Sequence, residues 1–104
     1  MSQLIPPEEP IKLQLYIYGA MTPNSSLAIN NLEAIRRTQP PGLLQIEVID
    51  IITNPLKALA DGILVTPTLI KLSPAPTTQI IGNLSMTSTV LKALGLSITR
   101  DEDG

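Results

Sequence analysis

Ile11-Lys12-Leu13-Gln14-Leu15-Tyr16-Ile17-Tyr18 is the stretch on which the fold turns. Ile11, Leu13, Leu15 and Ile17 share one side of an extended chain, and Lys12, Gln14, Tyr16 and Tyr18 share the other. A period of two is the mark of a β-strand, because successive side chains point to opposite faces. Gly19 to Pro23 break the pattern. Asn24 is suited to cap a helix that starts at Ser25. Ala28, Leu32 and Ile35, with Ile29 beside them, form an apolar stripe at helical spacing. Thr38-Gln39-Pro40-Pro41-Gly42 stop that helix. Leu44, Ile46 and Val48 then alternate with Gln45 and Glu47 as a second strand. A strand–helix–strand unit crosses over right-handed, which makes its two strands parallel.

Downstream the elements shorten. Asn54 is a good cap and Pro55 suits the first position of a short helix over 56–61, which Gly62 is placed to end. Val65-Thr66-Pro67-Thr68 leads into the apolar run Leu69-Ile70-Lys71-Leu72. Ser73-Pro74-Ala75-Pro76 reads as a turn, and Gln79-Ile80-Ile81, ended by Gly82, as the return strand of a hairpin. Ser85 can cap a last helix carrying Val90, Leu91 and Leu94, stopped near Gly95. The order strand-helix-strand, short helix, hairpin, helix is that of an α/β, thioredoxin-like layout. It divides the chain into a mobile lead-in over 1–10, one domain over 11–97 and an acidic, disordered tail over 98–104.

Composition narrows the chemistry. The 104 residues suit one small domain with a single core. Hydrophobic residues make up 43% and aromatics only 2%, so Leu, Ile, Val and Ala must build that core, with Tyr16 and Tyr18 the only aromatics. With no cysteine or histidine, thiolate chemistry, zinc sites built on Cys or His, and a Ser–His dyad are all impossible. A net charge of −2 gives no electrostatic reason to expect nucleic acid or an anionic membrane, and Arg36-Arg37 reads as a solvated helix end. Residues 1–7 lack the charged region and apolar run of a signal peptide, and no stretch reaches the roughly 20 apolar residues of a membrane span. The expected location is the cytoplasm. Glu47, Asp50 and Asp61 have no spacing that pairs them, so solvated or capping roles are expected of them. No glycine-rich phosphate loop occurs, so the chain is not expected to bind ATP itself, and no cofactor is implied.

Three segments are candidates for function. Gly19-Ala20-Met21-Thr22-Pro23-Asn24-Ser25 lies where a thioredoxin-like domain carries its redox pair, at a helix N-terminus that lowers a thiol pKa. Without sulfur nucleophiles it is either a βα turn with a cap or a protein-contact loop. Pro67 enters a strand, where either a cis bond or an ordinary trans proline fits. Pro74 and Pro76 make either a rigid hairpin loop or a place of several isomers.

Leu15-Tyr16-Ile17-Tyr18-Gly19, Thr22-Pro23-Asn24-Ser25, Val48-Ile49-Asp50, Asn54-Pro55, the run from Ile63 to Lys71, Pro74-Ala75-Pro76 and the run from Ile80 to Ser85 together resemble the KaiB family in order and spacing. The similarity runs from about Ile11 to Leu96. It implies a cytoplasmic clock regulator, not an enzyme, that binds the hexameric ATPase KaiC, sequesters KaiA and competes with the kinase SasA, favouring KaiC dephosphorylation. It also implies a homo-oligomer, dimer or tetramer, and a family in which a resting fold converts to a thioredoxin-like, KaiC-binding one. Pro67, Pro74 and Pro76 match family positions in the switching half. Lys71, Tyr18, Gly19, Pro23 and Asn24 are the residues expected to meet KaiC. The chain departs from the family where Leu27 and Asn30 stand in a usually basic helix. It departs again at Thr77, Thr78 and Gln79, where arginines are typical, and at Asn83, where an acidic residue is. The SasA sensor domain is a close relative, from which Pro74-Ala75-Pro76 and the run from Ile81 to Ser85 set this chain apart. Two other readings stay open: a thioredoxin-like adaptor serving a stress or signalling partner, and a glutathione-dependent enzyme using Thr22 or Ser25 with a Thr66-Pro67 backbone clamp.

Overall fold

The computed structural model describes residues 9–97. The tail 98–104 and all but the last two residues of the lead-in 1–10 lie outside them. Seven elements follow in chain order: β1 (Ile11–Ile17), α1 (Pro23–Arg37), β2 (Leu44–Asp50), α2 (Pro55–Ala60), β3 (Thr68–Ser73), β4 (Thr78–Ile81) and α3 (Thr87–Leu94). They form one four-stranded sheet in the order β2-β1-β3-β4. β1 and β2 are parallel, as the crossover requires, and β3 runs antiparallel to both β1 and β4. Thr68 therefore sits beside Tyr16 and Ile81, while Ser73 sits beside Lys12. The sheet has a carboxyl end, where β1, β2 and β4 finish, and an amino end, where the β3–β4 turn lies.

β1 is central, and of its seven residues only Lys12 is exposed. Leu13, Leu15 and Ile17 pack with Leu69 against Ala28, Leu32 and Ile35 of α1 and Val90, Leu91 and Leu94 of α3. Each large aliphatic buried there contributes about 1.5–3 kcal/mol. The opposite face carries a second, smaller core of Tyr16, Ile49, Ala58 and Ile70 under α2. Tyr16, which alternation groups with the polar residues, is completely buried in it. Among the described residues no helix is long and apolar enough to cross a membrane.

Two caps differ from the sequence expectation. α1 begins at Pro23 with Thr22 as its N-cap, so Asn24 lies inside the first turn rather than before it. Proline is well suited to the first helical position, which places the cap one residue upstream. Met86, not Ser85, precedes α3, and α3 ends as expected at Gly95, whose φ of 75° is left-handed.

Candidate functional site: the loops at the carboxyl end of the sheet

In open α/β sheets the loops beyond the carboxyl ends of the strands build binding sites. Here the β1–α1 loop, the β2–α2 loop and the segment leading into β3 meet. Asp50, the last residue of β2, ties the first two together. Its Oδ1 accepts the backbone N–H of Gly19 at 3.0 Å and that of Ile52 at 2.9 Å. Gly19 has φ +78°, and a Cβ there would lie 3.6 Å from Ile52 Cδ1 and 3.4 Å from Thr22 Cγ2, so the two loops are in contact. The Thr22 hydroxyl bonds the Gly19 carbonyl at 2.9 Å and the buried Ser25 hydroxyl at 2.8 Å. This closes the turn and fixes the entry to α1.

Across from this turn runs Val65-Thr66-Pro67. The Thr66–Pro67 peptide is cis, as are Ser73–Pro74 and Ala75–Pro76. The segment is anchored at both sides: Thr68 Oγ1 donates to the Val65 carbonyl at 2.7 Å, and the Gly82 N–H donates to the Pro67 carbonyl at 2.9 Å. Between the two walls lies a groove of about 320 Å³ lined by Tyr18, Thr22, Pro23, Asn24, Ser25, Thr66 and Pro67. None of these side chains is charged at neutral pH. The hydroxyls of Thr22 and Ser25 bond each other and loop carbonyls, an arrangement that shapes a surface.

A second contact holds α2 in place. The Tyr16 hydroxyl donates to Asp61 Oδ2, which also faces Lys57 Nζ at 3.5 Å. Burial first, then the hydrogen bond to Asp61, push the Tyr16 phenol well above its ordinary range. The bond from Tyr16 first, and the Lys57 ammonium after it, hold the Asp61 carboxyl below its own, against a smaller effect of desolvation.

The structure brings Tyr18, Pro23, Asn24 and Pro67 together on the groove, with Gly19 in the adjoining loop. It places Lys71 elsewhere. Lys71 pairs with Leu13 and Thr78 toward the amino end of the sheet and is only 7% exposed. Pro74 and Pro76 lie in the β3–β4 turn at that same end. Asp50 and Asp61, of which the sequence suggests only solvated or capping roles, make bonds between elements. Their partners come from segments distant in the chain, 31 residues away for Asp50 and Gly19 and 45 for Tyr16 and Asp61, so no local spacing announces them.

Comparison with known proteins agrees with this architecture. A family model described as the KaiB domain matches residues 14–96. A circadian clock oscillator protein KaiB from Synechococcus sp. (strain CC9311) is 43% identical over 96 residues, covering 92% of this chain and 78% of that protein. The Acaryochloris marina protein of the same description is 44% identical, covering 88% of each. Among solved structures, the N-terminal domain of Synechococcus elongatus SasA matches with a TM-score of 0.69 over the whole of both chains at 19% identity. Chloroplastic thioredoxin z matches at 0.71 over 85% of this chain and 78% of that one, at 16% identity. These structural matches identify the fold as thioredoxin-like.

Proposed function

The chain belongs to the KaiB family, and on that premise we propose that it is a non-catalytic circadian clock regulator that binds a KaiC-type hexameric ATPase. In this reading it promotes KaiC dephosphorylation by sequestering KaiA and by competing with SasA. It acts in the cytoplasm and rests as a homo-oligomer in exchange with the arrangement described above. The observation that carries the reading is the shared fold of the second half, with β3, β4 and α3 completing the sheet order β2-β1-β3-β4. The SasA N-terminal domain has the same fold. Two domains of one shape can occupy one docking surface, which is the physical basis of competition. Tyr18, Gly19, Pro23 and Asn24 are the proposed contact residues, whereas Lys71, buried toward the amino end of the sheet, is not grouped with them.

Native mass spectrometry of the chain with KaiC-type hexamers and ATP tests the reading. Rings carrying up to about six added copies, reduced by a SasA N-terminal domain, are the expected result. A hexamer that stays bare under every nucleotide condition would overturn it.

A further inference from the structure

Among the described residues the charges are unevenly placed. Residues 18–32, 51–56, 62–70 and 72–91 contain no Asp, Glu, Lys or Arg. These segments supply every loop at the carboxyl end of the sheet and the first turns of α1 and α3. Among the described residues three charged ones border this end, and all are engaged: Asp50 with two backbone N–H groups, Lys57 with Asp61, and Asp61 with Tyr16 as well. Arg36, Arg37 and Lys92 stand in the last turns of α1 and α3, and Lys12 at the start of β1, all toward the opposite end.

The neutral end also carries exposed apolar side chains. Met21 and Leu64 are 91% and 92% exposed, and Tyr18, Ile52, Val65 and Met86, in loops at the same end of the sheet, are exposed as well. Ile52 touches the Gly19 turn, and Tyr18 and Thr66 line the same groove, so the surface runs from the β2–α2 loop across the groove to the segment that leads into β3, which carries Leu64 and Val65. Exposed apolar side chains gathered without charge fit an interaction site, and flexible methionine side chains adapt to a partner's shape.

We propose that this neutral end is the surface by which the chain docks, and that it fits an uncharged, apolar patch on its partner without ion pairs across the contact. The inference rests on the clock reading above and specifies the chemistry of the partner's side. A charged patch would lose its hydration against this surface and find no counter-charge. An apolar patch loses only water. Association is therefore driven by burial and barely responds to ionic strength, whereas charge-steered complexes weaken steeply with salt.

The test is calorimetric titration of the full chain into the KaiC-type ATPase at 50 and 500 mM NaCl (about 14 and 4 Å of screening length). It is repeated with Leu64→Asp, Met21→Asp and, as a control, Lys92→Glu. Leu64 and Met21 are so exposed that their replacement leaves the core intact, and circular dichroism checks this. The expected result is affinity constant within about threefold across the salt range, a loss of about tenfold or more for Leu64→Asp and Met21→Asp, and little change for Lys92→Glu. A loss above about tenfold with salt, or indifference to both aspartates, overturns the inference and leaves the clock reading standing. Absence of binding by the unmodified chain at both salts overturns the clock reading, and this inference with it. Sedimentation velocity supplies the remaining outcome: self-association abolished by Leu64→Asp would mean that a second copy covers this surface, overturning the inference.

Discussion

At the scale of single residues, the site depends on a carboxylate and a glycine that have no chemistry of their own. Asp50 Oδ1 receives two N–H groups from two loops. Asp50→Ala leaves both donors without that acceptor and should destabilise the fold by about 1–3 kcal/mol in urea denaturation. Asp50→Asn keeps an acceptor oxygen and should recover part of the loss. Gly19 serves differently. Its φ of +78° favours glycine, while the space beside it would hold a methyl at ordinary contact distance. Gly19→Ala should therefore cost about 1–2 kcal/mol from backbone conformation. Gly62 has a similar φ of +71° with nothing nearby, so Gly62→Ala should cost the same. A markedly larger loss at Gly19 would show that Ile52 and Thr22 cannot make room.

At the scale of elements, α2 is a short helix with little buried surface of its own. It is six residues long, lacks a side-chain cap and buries only Ala58. Leu56 and Leu59 point outward. The Tyr16–Asp61 bond ties the residue just beyond its end to β1. The linkage has a defined sign at each pH extreme. Asp61 is held below the ordinary carboxylate range in the fold, so its contribution is present above about pH 4 and is lost as pH falls through the folded value. Tyr16 is raised, so its contribution is present below about pH 10 and is lost as pH rises toward the folded value. Tyr16→Phe should lower stability between these limits by about 1–2 kcal/mol and flatten both limbs of the urea-midpoint profile. A mutant profile parallel to the original would assign those limbs to other groups.

The same elements show what the sequence discloses. The strand–helix–strand unit was legible because β1, α1 and β2 have periods of 2 and 3.6 over seven to fifteen residues. The second core was not, because α2 turns its leucines out and only Ala58 in, and Tyr16 follows the alternation of polar neighbours while sitting inside. The sequence leaves the α1 cap ambiguous over two residues because Thr22-Pro23-Asn24-Ser25 offers several side chains able to cap. The proline rule, which correctly set the start of α2 at Asn54-Pro55, decides it for Thr22. Tyr18, Pro23 and Asn24 share the β1–α1 connection, and Pro67 joins them because β3 runs antiparallel to β1, so its first residue lies beside the end of β1. The bond from Gly19 to Asp50 could not be foreseen, since it depends on how two loops meet.

At the scale of the whole molecule, stability and recognition both rest on apolar contact. The large core on the α1 and α3 side is aliphatic throughout. Among the described residues the ion pairs are Glu33 with Arg36 and Arg37, and Lys57 with Asp61, all between near neighbours on single helices and all partly exposed. Such pairs contribute little, about 0–1 kcal/mol each, and salt screens them. Unfolding measured in urea, a neutral denaturant, should then give nearly the same free energy at 50 and 500 mM NaCl, within about 1 kcal/mol. Any small gain at the higher salt would fit burial strengthened by salt exclusion from apolar surface. A fall of more than about 2 kcal/mol would mean that charge carries a share of the fold that these three pairs do not account for. It would also undercut a salt-insensitive docking surface, because the neutral end would then be only a small exception in a molecule held by its charges.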